Sequence, residues 1–340
     1  ENGVVISVDA QNRQYEAIAL RQGKIQALGS TTALKTRIGP ETNVIDLKGR
    51  TVIPGFIEGH GHFLSLGRAQ QILDLTQAQS FSEIVRQVAT AADSAEPGAW
   101  IFGRGWHQDK WLAEEFKTVD GVPINVPLNA VAPDNPVYLG HASGHAAFAN
   151  DAALAAANIV NRTPDPDGGT IVRSASGRAT GLLRENAQKL VERSIADYMA
   201  LQSPEKLRQN LLEQVQLAGQ LALAHGITSF HDAGASFQEI DFFRRLEESE
   251  QLPVRLYVMV RGEDNEELTN RLKDYYMPSE ENDFLTVRSI KRQIDGALGA
   301  HGAWLLEPYD DLPDSRGLIL ETVEDIERTA EIAIDNGFQV

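Results

Sequence analysis

The chain contains no cysteine among its 340 residues. Disulfides and thiolate metal ligands are therefore excluded, and any metal must be held by imidazole, carboxylate or a modified side chain. Basic residues are scarce. Lys and Arg number 31 against 48 Asp and Glu, a formal net charge of -17. So acidic a surface repels nucleic acid and anionic membrane, and neither is an expected partner. No run approaches the roughly 20 apolar residues of a membrane-spanning helix. Apolar residues nonetheless reach 42%, a globular proportion that argues against long disorder. The length allows one large domain or two ordinary ones with a sizeable core. The chain opens at Glu1-Asn2-Gly3 inside a strand-like pattern. A removed leader stays open, and with it the choice between cytoplasm, periplasm and exterior.

Residues 1–50 read as short strands (Val4–Val8, Ala17–Leu20, Lys24–Leu28, Val44–Leu47) separated by polar and glycine turns, which predicts a small β unit. Residues 51–64 carry an apolar strand that runs into His60-Gly61-His62. Residues 65–225 are less regular. Ser80 with Glu83 predicts a capped helix to about Ser94. Strands are expected at Ala99–Gly103 and Pro136–Gly140, an irregular excursion at Arg162–Arg178, and a long helix from Ser203-Pro204 to Gly226. From 226 to 340 strand and capped helix alternate. Strands are expected at Ile227–Phe230, Val254–Val260 and Leu285–Ile294, with another opening at Phe338. Helices are expected to start at Ser236, Asp264 and Thr322. That alternation predicts βα units on a parallel sheet.

His60 and His62 carry the first chemical signal. On a strand, residues two apart face the same side, so two imidazoles converge as a metal requires. Two histidines in a surface loop are the alternative. The apolar Val52–Ile57 run favours the strand reading, and active sites of (β/α) barrels sit at strand carboxyl ends.

The run Val52–His62 resembles the first barrel strand of the amidohydrolase superfamily. Three further blocks resemble its family 3 branch, which includes N-substituted formamide deformylases. They are Ile101–His107, Ser143–Asn150 and Ile290–Gly299, the last continuing through Leu305–Tyr309. The resemblance runs along essentially the whole chain. It implies an α/β fold, a TIM-type (β/α) barrel of which the first half is present. A small N-terminal β-sandwich unit and a long insertion after barrel strand one go with it. It also implies that the family's strand-five and strand-six histidines and its general-base aspartate would follow Val340.

The resemblance further implies a divalent metal, most readily zinc, as one or two ions. His60, His62 and a carboxylated Lys291 are the expected ligands. A carbamate is an anionic oxygen ligand, whereas an ammonium repels cations; a lysine snorkelling from the barrel rim is the alternative. Trp106, His145, His231 and Asp295 are expected near the substrate. A satisfied structural role stays open for His145 and His231, and surface placement for His107. His225, beside Gly226, reads as structural, interacting with a helix C-terminus. His301 and Glu185 are weaker candidates for the site. The expected activity is hydrolysis of a C–N bond in a small-molecule amide, N-formyl amine or cyclic amide. Isomerase or deaminase chemistry, and a non-catalytic or partner-dependent barrel fragment, are the alternatives. A homodimer stays open.

Overall fold

The computed structural model describes residues 1–112, 116–119, 121–279, 284–296, 298, 303–310, 313–317 and 319–340. The chain divides into two compact units. The first joins Glu1–Gly61 to Leu221–Val340, and the second is His62–Gln220.

In the first unit, Val4–Ile6 pairs antiparallel with Gln14–Tyr15 and parallel with Thr51–Val52. Ala17–Arg21 and Lys24–Gly29 form a separate antiparallel hairpin. Val44–Leu47, expected as a strand, is not one. Its backbone instead meets the chain start, with Leu47 N–H donating to Glu1 O at 2.8 Å and the Glu1 ammonium donating to Ile45 O at 2.7 Å. The expected strand over Val52–Ile57 also shifts. Thr51–Val52 belongs to the small sheet, and after Pro54-Gly55 a new strand runs Phe56–Gly61. Phe56 and Ile57 are exposed rather than buried. Among the described residues this strand pairs with one neighbour, as a sheet edge does, which removes the packing that burial would need.

The main sheet of the first unit has four strands, all parallel. Phe56–Gly61, Ile227–Ala235, Arg255–Val260 and Leu285–Ile290 lie side by side in chain order. At the far edge Gln339 makes one parallel bridge to Ser289. The fourth strand is shorter than the expected Leu285–Ile294.

Register sorts the residues into two faces. Phe230, Leu256, Val258, Val260, Leu285, Val287 and Ile290 are all deeply buried. Against the second, third and fourth strands packs the helix Phe237–Glu248, which contributes Phe237, Ile240, Phe243 and Leu246. Each such side chain contributes about 1.5–3 kcal/mol by burial. The helix starts where the sequence predicts, because Ser236 and Glu239 satisfy each other's backbone N–H in a full capping box. Asp264 and Thr322 cap Asn265–Arg271 and Val323–Asp335 with their side chains alone, accepting from Glu267 N–H and Asp325 N–H.

The second unit has its own six-stranded sheet. In spatial order the strands are Gly169–Arg173, Ala179–Glu185, Ala146–Ala149, Val137–His141, Ile101–Trp106 and Leu73–Asp74. The last three run parallel and the first three antiparallel to their neighbours. Arg162–Arg178, read as irregular, therefore holds a strand. The helix Phe81–Ser94 has Ser80 as its cap, accepting from Glu83 N–H. Pro204–Ala224 ends at Gly226, whose φ of 75° is the left-handed value a helix stop favours. The helix Gln188–Ala200 was not anticipated: Ala187 at its start makes no side-chain cap bond.

Candidate functional site

His60 is the penultimate residue of Phe56–Gly61, at the carboxyl end of the parallel sheet. A side chain at Gly61 would collide with the Phe230 ring on the helix-facing side. Alternation turns His60 to the other face. The strand stops one residue before His62, which is the N-cap of the helix Phe63–Gln70. The His62 backbone is still extended, with φ -128° and ψ 99°, so the alternation that relates it to His60 continues. The boundary between the two units falls between Gly61 and His62. Both imidazoles are exposed.

Lys291 follows directly on the fourth strand, and its N–H donates to Val260 O at 2.8 Å. Its neighbour Ile290 is buried on the helix side, so Lys291 takes the opposite face and is half-buried. His60 and Lys291 thus stand at the same end of one sheet, on its two outer strands with two strands between.

His231 lies mid-strand rather than at a strand end, because Ile227–Ala235 runs further than the sequence predicts. Its ring packs 4.9 Å from that of Tyr257, whose hydroxyl donates to Gln339 Oε1 at 2.9 Å. Both line a cavity of about 310 Å³ with Ser229, Arg255 and Thr286. Asp295 lies beyond the fourth strand, where it bridges to Ile319, and its Oδ2 accepts from Trp304 N–H at 2.9 Å. His301 lies outside the described residues. His225 Nδ1 lies 2.9 Å from Leu221 O in the preceding turn of its helix.

In the second unit, Trp106 sits on the strand Ile101–Trp106. It is 2% exposed, its indole donates to Leu139 O at 2.8 Å, and it stacks on Trp111. The inward side of its strand makes it a core residue, with its polar atom already satisfied. His145 is exposed, and its Nδ1 lies 3.1 Å from a carboxylate oxygen of Glu185. Glu185 holds a left-handed φ of 48°. His141, four residues before His145, is the better-organised histidine. Its Nδ1 lies 2.7 Å from Ser143 Oγ and accepts from Ser143 N–H at 3.1 Å. Its Nε2 lies 3.2 Å from Gln108 Oε1, and its ring sits edge-on to Trp106. Burial, then the nearby His107, lowers its pKa below the ordinary 6.5. Spacing in the sequence gave no hint of this, since Gln108 is 33 residues away.

The donor chemistry at the sheet end fits a divalent cation. Paired imidazoles are nitrogen ligands of the right kind, and the chain has no thiolate to compete. Among the described residues no three His, Asp or Glu side chains gather into a metal-holding group.

The arrangement defines an α/β protein of the amidohydrolase type. Residues 43–340 match the model of the amidohydrolase family, and the chain belongs to that family. Its relatives include Protein LONG AFTER FAR-RED 3 of Arabidopsis thaliana, 31% identical over all of this chain and 57% of that protein. The putative amidohydrolase YtcJ of Bacillus subtilis is 29% identical over 99% of this chain and 61% of its own length. The N-substituted formamide deformylase of Arthrobacter pascens is 31% identical over 77% of this chain and 47% of that enzyme. The chain thus spans about 60% or less of these relatives. The crystal structure of an uncharacterized metal-dependent hydrolase from Pyrococcus horikoshii shares the fold. Its TM-score is 0.71 at 24% identity, over 99% of this chain and 62% of that one.

Proposed function

We propose that this chain forms part of a metal-dependent amidohydrolase with a (β/α)-barrel catalytic domain. Its reaction is hydrolysis of a C–N bond in a small amide, an N-formyl amine or a cyclic amide. The observation that carries the reading is the position of His60 at the carboxyl end of an all-parallel sheet, on the face turned away from the helices. Membership of the amidohydrolase family supports it, and one relative bears the name of a formamide deformylase.

In this reading His60 and His62 hold the metal, proposed as zinc in one or two ions, and Lys291 joins them as a carbamate. The cation would supply Lewis acidity toward the scissile carbonyl and would acidify water to a pKa of about 7. The chain's own residues orient and shield. The carbamate contributes negative charge where an ammonium would repel the cation. His231, held against Tyr257, and Asp295, held by Trp304 N–H, are the groups proposed to orient the amide.

The test is turnover of N-formyl and N-acyl amines by the metal-loaded full-length protein, with metal content measured alongside; the 340-residue chain by itself is expected to retain metal weakly and to turn over little or no amide. Stoichiometric metal with amide hydrolysis, both lost in His60→Ala and Lys291→Ala, is the expected result. Metal binding without turnover on any amide would support a metal-binding barrel portion lacking catalysis.

A further inference from the structure

Arg292 is the residue next to Lys291, and alternation sends it the opposite way, toward the outer helices. Only 14% of its side chain is exposed. Its guanidinium reaches two helices and the loop residue that precedes the cap of one of them. Nε donates to Thr329 Oγ1 at 2.9 Å, one terminal nitrogen donates to Glu263 O at 3.0 Å, and the other donates to Asn265 Oδ1 at 3.2 Å. A carboxylate oxygen of Glu321 lies 3.6 Å from Nε. The partners are themselves knotted together. Thr329, fully buried, donates to Asn265 Oδ1 at 2.7 Å. Asn265 Nδ2 donates to Asp325 O at 3.0 Å, and Glu321 accepts from the backbone N–H of Gln293 at 3.1 Å.

We propose that Arg292 is a positioning residue. It clamps the carboxyl end of the fourth strand to the helices Asn265–Arg271 and Val323–Asp335, and so fixes where the backbone of Lys291 sits. The ladder alone does not do this. The fourth strand ends at Ile290, and beyond it the bond from Lys291 N–H to Val260 O is followed by irregular backbone. The planar fork of arginine suits the task, since it presents donors in several fixed directions at once; lysine can satisfy fewer of them. Gln293, held by Glu321, locks the next residue along. Lys291 is thus bracketed on both sides by ordered backbone, with its own side chain on the other face. The clamp rests on the contacts above. Its functional consequence rests on the reading of Lys291 as a metal ligand.

The test compares Arg292→Met, Arg292→Lys, Thr329→Val, Asn265→Ala and Lys291→Ala in the purified protein. Two measurements are made on each: amide hydrogen exchange, and titration with Co2+ followed by its visible absorption. Hydrogen bonds to a charged group are the strong ones, so Arg292→Met is expected to speed exchange over 289–294 by about tenfold or more. Exchange over Arg255–Val260 should hardly change. Arg292→Lys should fall between it and wild type, and Thr329→Val and Asn265→Ala should give smaller increases in the same segment. Co2+ affinity should fall about tenfold in Arg292→Met, with an altered absorption envelope, and recover partly in Arg292→Lys. Wild-type exchange over 289–294 in Arg292→Met, or a rise spread evenly over the whole first unit, overturns the clamp. If Arg292→Met does not fold, Thr329→Val and Asn265→Ala decide, and unchanged local exchange in both overturns it. Lys291→Ala separates the two readings. Unchanged Co2+ affinity there removes Lys291 from the metal site, while the exchange data still settle the role of Arg292.

Discussion

Asn150→Ala offers the sharpest stability test of the second unit. Asn150 is fully buried and its side chain makes four hydrogen bonds. Its Oδ1 accepts from Val137 N–H at 2.9 Å and from Ala153 N–H at 3.0 Å. Its Nδ2 donates to Ala132 O at 2.8 Å and to Asn135 O at 2.9 Å. One side chain thus starts the strand Val137–His141, caps the helix Asp151–Ala156 and closes the end of Val126–Val131. Loss of the helix cap costs about 1 kcal/mol. Each of the other three bonds contributes about 1 kcal/mol net, more where the abandoned group stays dry. The sum is about 4 kcal/mol, or about 8–16 °C in Tm for a unit of this size. Tryptophan fluorescence is the natural probe, because Trp100, Trp106 and Trp111 lie in the second unit and only Trp304 in the first. In urea, Asn150→Ala should lower the fluorescence midpoint sharply with little change in slope. A loss below about 1 kcal/mol would refute the reasoning, since it would mean water replaces all four bonds at little cost.

Other substitutions test other links. His60→Ala and His62→Ala should each weaken Zn2+ or Co2+ binding by at least about 100-fold, more than loss of an outer hydrogen-bond partner costs, as read by calorimetry. Gly67→Ala should destabilise the second unit by about 1–3 kcal/mol in a thermal melt, because its new methyl would overlap the Gln214 carbonyl oxygen. Acidification should weaken the second unit through His141. Its folded pKa lies below the ordinary 6.5, so the unfolded chain binds the proton more readily; stability present above 6.5 is lost as pH falls toward the folded value. The urea midpoint should drop as pH falls through 6.5 and below, and His141→Gln should flatten that slope.

Local chemistry was what the sequence displayed most clearly. Ser80 with Glu83, Ser236 with Glu239, Asp264 with Glu267 and Thr322 with Asp325 all mark helix starts, because a cap is an interaction over three residues. The parallel order of the main sheet was legible for a related reason. Strand and helix alternate there, and chain order equals spatial order. The second unit was not legible as a sheet. Its six strands are short, switch from parallel to antiparallel, and join residues far apart, as when Leu73 pairs with Gly103. For the site, the His60–Gly61–His62 spacing was visible on sight. The burial of Trp106 and the fixing of His141 by Gln108 depend on pairings that no local pattern encodes. The clamp at Arg292 belongs to the same class, since its partners lie 27 to 37 residues away.

One pattern in the main sheet links fold to chemistry. A parallel sheet packed on both faces reads as continuous apolar runs. The strand Arg255-Leu256-Tyr257-Val258-Met259-Val260 does not: its even positions are buried and its odd positions are not. The neighbouring strands repeat this, with Ser229 and His231 beside Arg255 and Tyr257, and Thr286 beside Tyr257. One face therefore carries the apolar energy that holds the helices. The other carries hydroxyls, an imidazole, a guanidinium and, at its carboxyl end, Lys291. Filling that second face with branched apolar side chains would bury more area and stabilise the sheet by about 25 cal/mol per Å². Keeping it polar forgoes that stabilisation and is the arrangement a ligand cavity needs. A double substitution of His231 and Thr286 by Leu and Val should accordingly raise the melting temperature of the first unit while abolishing turnover of amides. A loss of stability instead would show that the polar face serves packing.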